Sequence, residues 1–478
     1  MSIGRTSLAL ALAGTLIACG GGGGSSSPTS GGTPAPTPAP STSACSLESR
    51  KAWVLDQLRT YYLFPNLLDT GVDPAAYPTV QDYIDALVAP ARAQGRDRFF
   101  TYITSIAEEN ELISSGSSAG FGVRLAYDTS AGKVFVLEAF ESGPAFAQGF
   151  DRGTEILAVN GTSTASLLAS GGPRAFSDAL GSSDPGVTRT FTIRQADSTE
   201  RTVSVIKSEF ELDPISDRYG VKVIDNGGTP VGYINLRTFI VDDAGPQLRV
   251  AIDQFRQQGI NQIILDFRYN GGGLVSVAEL LGDLLGADKV GQEFSRTIFR
   301  DSLSNNNATK LFDRQPEAIA ATKIALIGTG STASASELVG NAFIPYLGNN
   351  TALVGSNTYG KPVGQIARDR TECDDRLRVV AFRTVNAAGG GDYYTGLASV
   401  YPQTCGAPDD IFDQLGSPNE ASVGTALGFL RGAACNAIGQ AGEPTASLDR
   451  RVRVRQVEYE TIMPSQPSAA QYRIPGLF

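Results

Sequence analysis

Strand-type and helix-type runs alternate from Val231 onward. Residues 231–236 read as a strand and 244–258 as a helix; 262–267 and 274–285 repeat the pair. Another strand at 323–327 feeds a helix beginning near Ala335, and a further strand follows at 352–355. A chain that alternates in this way packs its helices against a parallel or mixed sheet. An α/β core is therefore expected over residues 209–440, with later strands near 377–384 and a last helix at 420–430.

Between the strand at 323–327 and Gln365 lies a stretch rich in small residues. Ala335, Leu338, Val339, Ala342 and Phe343 recur at helical spacing, which places Ser336 in the first turn. There the helix dipole and free N–H groups favour a developing oxyanion. A serine needs a base to become a good nucleophile. The chain has no histidine, so a Ser-His-Asp triad and any His-ligated zinc site are excluded. Lys361 can serve instead if burial lowers its pKa, and Gln365 stands where it could hold the amine. Ser331 and Ser334 are rival nucleophiles, and a reading in which all three serines merely cap the helix stays open. Residues 355–361 also match the glycine-lysine spacing of a phosphate loop, but Pro362 stands where a Ser or Thr metal ligand is required.

The run Asp266-Phe267-Arg268-Tyr269-Asn270-Gly271-Gly272-Gly273 follows a strand and precedes a helix. Such a turn can offer N–H groups to a phosphate or to an oxyanion, or simply turn tightly. The net charge of −10 and the lack of a basic run argue against nucleic acid as a partner.

The preceding segments differ in character. Residues 45–115 read as a small helical N-terminal domain, with Trp53, Val54, Leu55, Leu58 and Tyr62 at roughly helical intervals, Thr79 opening a second helix and a third helical segment over 99–112. Residues 116–208 carry short strands between Gly- and Asp-rich turns. Within them, Gly120-Phe121-Gly122-Val123 and the run from Ser142 to Gly161 resemble a PDZ domain of the bacterial-protease type. That resemblance implies that Phe121, Gly122 and Val123 present N–H groups to a substrate tail, which adds as a strand to the sheet edge.

At the N-terminus, Arg5 precedes an apolar run over 8–17 that is too short to span a membrane. Leu16-Ile17-Ala18-Cys19 resembles a bacterial lipobox. The expectation is a signal peptide over 1–18, lipidation at Cys19 and a Gly/Ser/Pro-rich tether over 19–44. Gly20 after the cysteine resembles outer-membrane sorting, so a bacterial cell envelope location, anchored by lipid and facing the periplasm, is expected. Cys45, Cys373, Cys405 and Cys435 remain, and an even count in an exported chain suggests two disulfides with three pairings open. Cys373–Cys405 is favoured because it closes a local loop, and Cys45–Cys435 because it ties the start of the folded region to its end. Residues 441–478 read as a tail, with an amphipathic strand at 451–455 and an irregular end.

With these motifs in place, residues 120–410 resemble the C-terminal processing peptidase (tail-specific protease) family. The matching pieces are residues 266–273, Ser334-Ala335-Ser336-Glu337 and Thr358-Tyr359-Gly360-Lys361. The resemblance implies a crotonase-like (ClpP/crotonase) α/β protease core with an inserted all-β PDZ domain. It implies Ser336 as nucleophile, Lys361 as base and Gln365 as its support. It implies an oxyanion hole from the backbone N–H groups of Gly272 and of Ala335 or a neighbour towards Glu337. No metal or cofactor is implied. Partners would be proteins or peptides with free C-termini, and oligomerisation is open. Pro362 departs from the family, which usually has glycine there. The readings from other classes are a catalytically silent PDZ-containing binding protein of the envelope and a small-substrate esterase or amidase.

Overall fold

The computed structural model describes residues 44–128, 131–439, 459–464 and 467–478. The expected signal peptide, Cys19, nearly all of the tether and the strand at 451–455 lie outside the described residues. Residues 43–478 form one compact unit.

Helix α1 (Leu47–Tyr61) and helix α2 (Val80–Leu87) open the described chain. Thr79 caps α2 by accepting from the Asp82 N–H, as its position before an apolar-periodic run predicts. The expected third helical segment over 99–112 is helical in its second half, where helix α3 (Ile106–Ser115) begins, but residues 102–105 form a strand, β1 (Tyr102–Ser105). Pairing outweighs local helical pattern here: β1 adds to the edge of a sheet built from residues far along the chain, and Ser105 caps α3 through the Glu108 N–H. The segment 45–115 is thus not purely helical.

Strands β2 (Val123–Asp128), β3 (Lys133–Ala139), β4 (Glu155–Val159), β5 (Thr188–Arg194) and β6 (Glu200–Ile206) form an antiparallel sheet in chain order. Helix α4 (Thr164–Leu180), broken at Gly171 and Gly172, packs over it. Leu125, Val134, Val136, Ile156, Phe176 and Phe191 form its apolar centre.

The central sheet runs β7 (Val221–Asp225), β8 (Pro230–Asn235), β9 (Gln262–Asp266), β12 (Lys323–Gly328), β13 (Thr351–Gly355) and β16 (Thr404–Gly406) across its width. Strands β8, β9, β12, β13 and β16 are parallel to their neighbours, and β7 is antiparallel. Period-two alternation divides its side chains between two cores. Ile263, Leu265, Ile324 and Leu326 face helices α5 (Ala244–Gln257), α6 (Val275–Leu285) and α7 (Ala335–Leu347). Ile264, Ala325, Ile327 and Val354 face helix α8 (Ala421–Leu430). At about 25 cal/mol per Å² of apolar area buried, such two-sided packing is the main stabilising term.

The remaining strands, β10 (Glu293–Phe299), β11 (Ala308–Leu311), β14 (Val363–Arg370) and β15 (Asp375–Val385), join β1 in a third sheet. Val54, Leu58, Ile84 and Leu87 of α1 and α2 pack on Leu377, Val379 and Val380 of β15. Strand β17 (Tyr459–Thr461) and helix α9 (Ala469–Arg473) lie towards the end of the chain. Far from ending irregularly, the chain pairs residues 459–461 with the open edge of β2, and Leu477 bridges Arg124 on the same edge.

Both expected disulfide pairings are corrected. The bonds are Cys45–Cys373 and Cys405–Cys435. Packing of α1 on β15 brings Cys45 beside the turn between β14 and β15 that holds Cys373. Cys405 sits on the edge strand β16, against which the chain returns after α8 carrying Cys435; Gly406 N–H donates to the Asn436 carbonyl. Sequence separation could not reveal this, because the link across 328 residues is spatially local. Non-reducing peptide mapping is expected to recover these two pairs, and removing Cys45–Cys373 is expected to cost about 2–5 kcal/mol.

Candidate active site

Strand β12 ends at Gly328, and the chain turns through 329–334 before α7 begins. Ser334 has a φ of 60°, and its N–H donates to Glu337 Oε2 at 2.9 Å. One of the orphan donors of the helix start is thereby satisfied. Ser336 lies in the first turn, fully buried. Its hydroxyl donates to the Asn270 carbonyl at 3.0 Å. Ser331 and Ser334, the rival serines, do not share that position: Ser331 Oγ lies 3.5 Å from Thr461 Oγ1.

Asn270 belongs to the loop after β9. That loop lies against α7 because residue 272 is glycine. At φ 100°, a Cβ on Gly272 would stand 2.7 Å from Ser334 Cβ and 2.9 Å from the Ala335 nitrogen, so the expected oxyanion pair, Gly272 and Ala335, is brought together. The Gly272 N–H donates to Asn270 Oδ1 at 2.9 Å. Asn270 therefore engages both the serine hydroxyl and the glycine amide.

The loop is fixed from behind by buried charge. Arg268 donates to Asp266 at 2.7 Å and to Glu420 at 2.8 Å, all three being fully buried. Arg152 reaches Asp409 at 2.8 Å and the Tyr269 hydroxyl at 2.9 Å. Paired in this way, buried charges hold a geometry that an unpaired charge could not tolerate. Asp266 and Arg268, motif residues without an assigned role, serve as this anchor.

Lys361 is buried against the N-terminal segment. Its Nζ donates to Gln365 Oε1 at 2.9 Å and stands 4.9 Å from the centre of the Phe100 ring. Burial, followed by repulsion from Arg473 and Arg378, lowers its pKa to about 7. Loss of ammonium hydration is the dominant cause, because a buried amine favours its neutral form.

Glu337 ties the lysine loop to the serine helix. Its Oε1 accepts from Thr358 Oγ1 at 2.6 Å and from the Gly360 N–H at 2.7 Å. Its Oε2 accepts from the Lys361 N–H at 2.7 Å as well as from Ser334. Burial raises the carboxyl pKa, and the four donors oppose that rise. The amides of Gly360 and Lys361, which a phosphate loop would offer to its ligand, are thus committed to Glu337. Arg98 clamps the loop from the other side, donating to the Gly360 carbonyl at 3.0 Å and to the Tyr394 carbonyl at 3.1 Å. The Pro362 carbonyl accepts from the Thr384 N–H at 3.0 Å.

Among the described residues, no hydrogen bond joins Ser336 and Lys361; each is held by a different partner. Sequence reasoning missed Glu337, Asn270, Arg98 and Phe100. Glu337 had a usable signal, a glutamate three residues after a serine at a helix start. Asn270 lies within the glycine-turn motif at 266–273, whereas Arg98 and Phe100 had no such signal. Phe121, Gly122 and Val123 sit at the start of β2, and the Val123 N–H donates to the Phe478 carbonyl at 3.1 Å.

Peptidase family S41 matches residues 230–393. The chloroplastic C-terminal processing peptidase of Tetradesmus obliquus is 30% identical over 276 residues, covering 54% of each chain. The carboxyl-terminal-processing protease of a Picosynechococcus strain is 27% identical over 255 residues, covering 52% of this chain and 56% of its own. The chain spans about half the length of these curated relatives. A solved structure of a candidate S41 protease from Bacteroides fragilis has a TM-score of 0.60 at 23% identity, covering 80% of this chain and 97% of that one. That likeness concerns the fold alone. Residues 230–393, which hold Asn270, Gly272, Ser336, Glu337 and Lys361, are thus the part of the chain that matches peptidase family S41.

Proposed function

We propose that the chain is a serine endopeptidase with a Ser336–Lys361 dyad. The observation that carries this is the Glu337 bridge, which fixes a buried lysine of pKa about 7 to the helix bearing a buried serine. Neutral Lys361 takes the Ser336 proton as Oγ attacks the scissile carbonyl carbon. The tetrahedral oxyanion is met by the N–H groups of Gly272 and Ala335. Its collapse breaks the C–N bond, the Lys361 ammonium returns the proton to the leaving amine, and an acyl-enzyme remains on Ser336. Water, deprotonated by Lys361, then releases the acid and restores the serine. Gln365 positions the lysine amine. For the first step, Ser336 must leave the Asn270 carbonyl and the Gly272 N–H must leave Asn270 Oδ1.

In this reading residues 209–440 are a crotonase-like core, 116–208 a PDZ-type domain and 45–115 an N-terminal support that supplies Arg98 and Phe100. Phe121, Gly122 and Val123 receive substrate tails with free C-termini. Cys19 carries lipid, tethering the enzyme in a bacterial envelope. The intact Glu337 bridge favours this reading over a silent binding protein, which needs no lysine at that place.

The test is the pH dependence of peptide cleavage by the purified chain. Since Lys361 acts as a neutral base, kcat/KM should rise with pH on a single-proton limb centred near 7 and then level off. Tail peptides that bind but are never cleaved at any pH from 6 to about 9 would favour the binding protein.

A further inference from the structure

We infer that residues 476–478 are a resident ligand of the β2 edge and that the segment around them is a cis-acting strap over the catalytic loop. The outer edge of β2 is filled by one stretch of chain in two pieces. Tyr459, Glu460 and Thr461 pair antiparallel with Asp128, Tyr127 and Ala126. After an excursion the same stretch returns: the Leu125 N–H donates to the Gly476 carbonyl at 2.8 Å. Val123 and Phe478 exchange N–H···O bonds of 3.1 and 2.9 Å. This is strand addition on the edge where a captured peptide would lie.

The excursion passes over the active site. The Arg473 carbonyl lies so near Gly271 that a Cβ there would stand 2.7 Å from it. Arg124, fully buried, donates through one nitrogen to the Tyr269 carbonyl at 2.7 Å and to the Pro475 carbonyl at 3.1 Å. One guanidinium thus joins β2, the loop bearing Asn270 and Gly272, and the strap. The Arg473 guanidinium reaches Glu109 at 2.9 Å and Gln365 Oε1 at 3.4 Å. That Gln365 oxygen is also the one that holds Lys361. Tyr472 stacks on Tyr102 with ring centres 3.9 Å apart. The strap is therefore seated at both ends while Ser336 bonds to the Asn270 carbonyl and Lys361 to Gln365.

The seat defines the ligand. Gly476 has a φ of 80°, and a Cβ there would come 2.7 Å from the Leu125 carbonyl. Leu477 packs with Phe140, Phe210 and Ile474. Phe478 enters the separate cluster containing Phe121, Val123 and Ala145. The edge thus takes an extended peptide of the class glycine, aliphatic, aromatic, whose last two side chains point to opposite sides. An exogenous substrate strand enters by displacing the strap.

The blocking half of this inference rests on the proposed peptidase activity; the binding half does not. The probe is a fluorescein-labelled peptide, Arg-Ile-Pro-Gly-Leu-Phe, followed by anisotropy on the full chain carrying Ser336→Ala, which separates binding from turnover. Adding Gly476→Val, which disfavours the seated strap through its φ of 80° and its contact with the Leu125 carbonyl, is expected to tighten probe binding about tenfold or more, because the apparent Kd of an occupied site is the intrinsic Kd divided by the free fraction. A probe ending in Asp-Asp should bind neither protein. Equal affinity with and without Gly476→Val, or no binding to either, overturns the inference. As a second measurement that needs no strap variant, hydrogen exchange on the unaltered chain should show residues 469–478 becoming less protected when probe is added in excess. Unchanged protection overturns it too. With Ser336 intact, Gly476→Val should also speed peptide hydrolysis about tenfold. If binding tightens while no cleavage occurs in either protein, the resident-ligand inference stands and the peptidase reading falls.

Discussion

Ser336→Ala and Lys361→Met are each expected to lower kcat for peptide cleavage by about three orders of magnitude or more, yet to affect the fold in different ways. Ser336→Ala deletes one hydroxyl and its single hydrogen bond to the Asn270 carbonyl, so its thermal midpoint should move little. Lys361→Met keeps the length of the side chain and removes the amine. Because burial depresses the Lys361 pKa to about 7, the folded state holds the ammonium at a disadvantage below that pH. Between about 7 and the ordinary lysine value of 10.5, the unfolded chain binds the proton that the folded chain has lost, so wild-type stability gains with rising pH. Lys361→Met should therefore be at least as stable as wild type near pH 6, with its relative advantage shrinking above 7. Thermal melting across pH, read beside kcat, checks both halves. A Lys361→Met variant that still cleaves would remove the lysine from the mechanism.

Glu337→Gln should damage both activity and stability. Its Oε1 can still accept from Thr358 and Gly360. An amide NH2 in place of Oε2, however, would point donors at the donating N–H groups of Lys361 and Ser334. Leaving such buried donors unmet costs about 1–3 kcal/mol each, which should appear as a lower denaturation midpoint. The loop carrying Lys361 would then shift, and a displacement of about 1 Å is worth roughly 10²-fold in rate. A variant with wild-type kcat would show that the bridge has no part in placing the base. The contrast with Lys361→Met is diagnostic: one change silences a stable protein, the other loosens the frame that holds the base.

The alternating strands and helices of the core were readable because each side chain's period is local. Ile263 and Leu265 fall on one face of β9 and Ile264 on the other, as the sequence pattern alone implies. The first half of the segment 99–112 departs from its helical pattern for the opposite reason, while 106–112 is helical as that pattern implies. Its strand exists only because β15, hundreds of residues later, offers an edge, and non-local pairing leaves little trace in a short window. The cysteine pairs failed likewise, since spatial proximity across 328 residues has no sequence period.

At the site the same boundary holds. The absence of histidine, Ser336 at a helix start, Lys361 and the glycine turn at 271–273 are matters of residue identity and spacing, and the sequence alone determines them. Tertiary structure decided what those residues experience. Burial lowers the lysine pKa to about 7, and the groups around it come from opposite ends of the chain: the Phe100 ring packs near the amine and the Arg473 charge repels its protonated form. Asn270, Glu337 and Arg124 acquire roles only once loops meet. The seating of residues 476–478 on β2 was likewise beyond reach of the sequence, since a strand edge comes into being only after the sheet has formed.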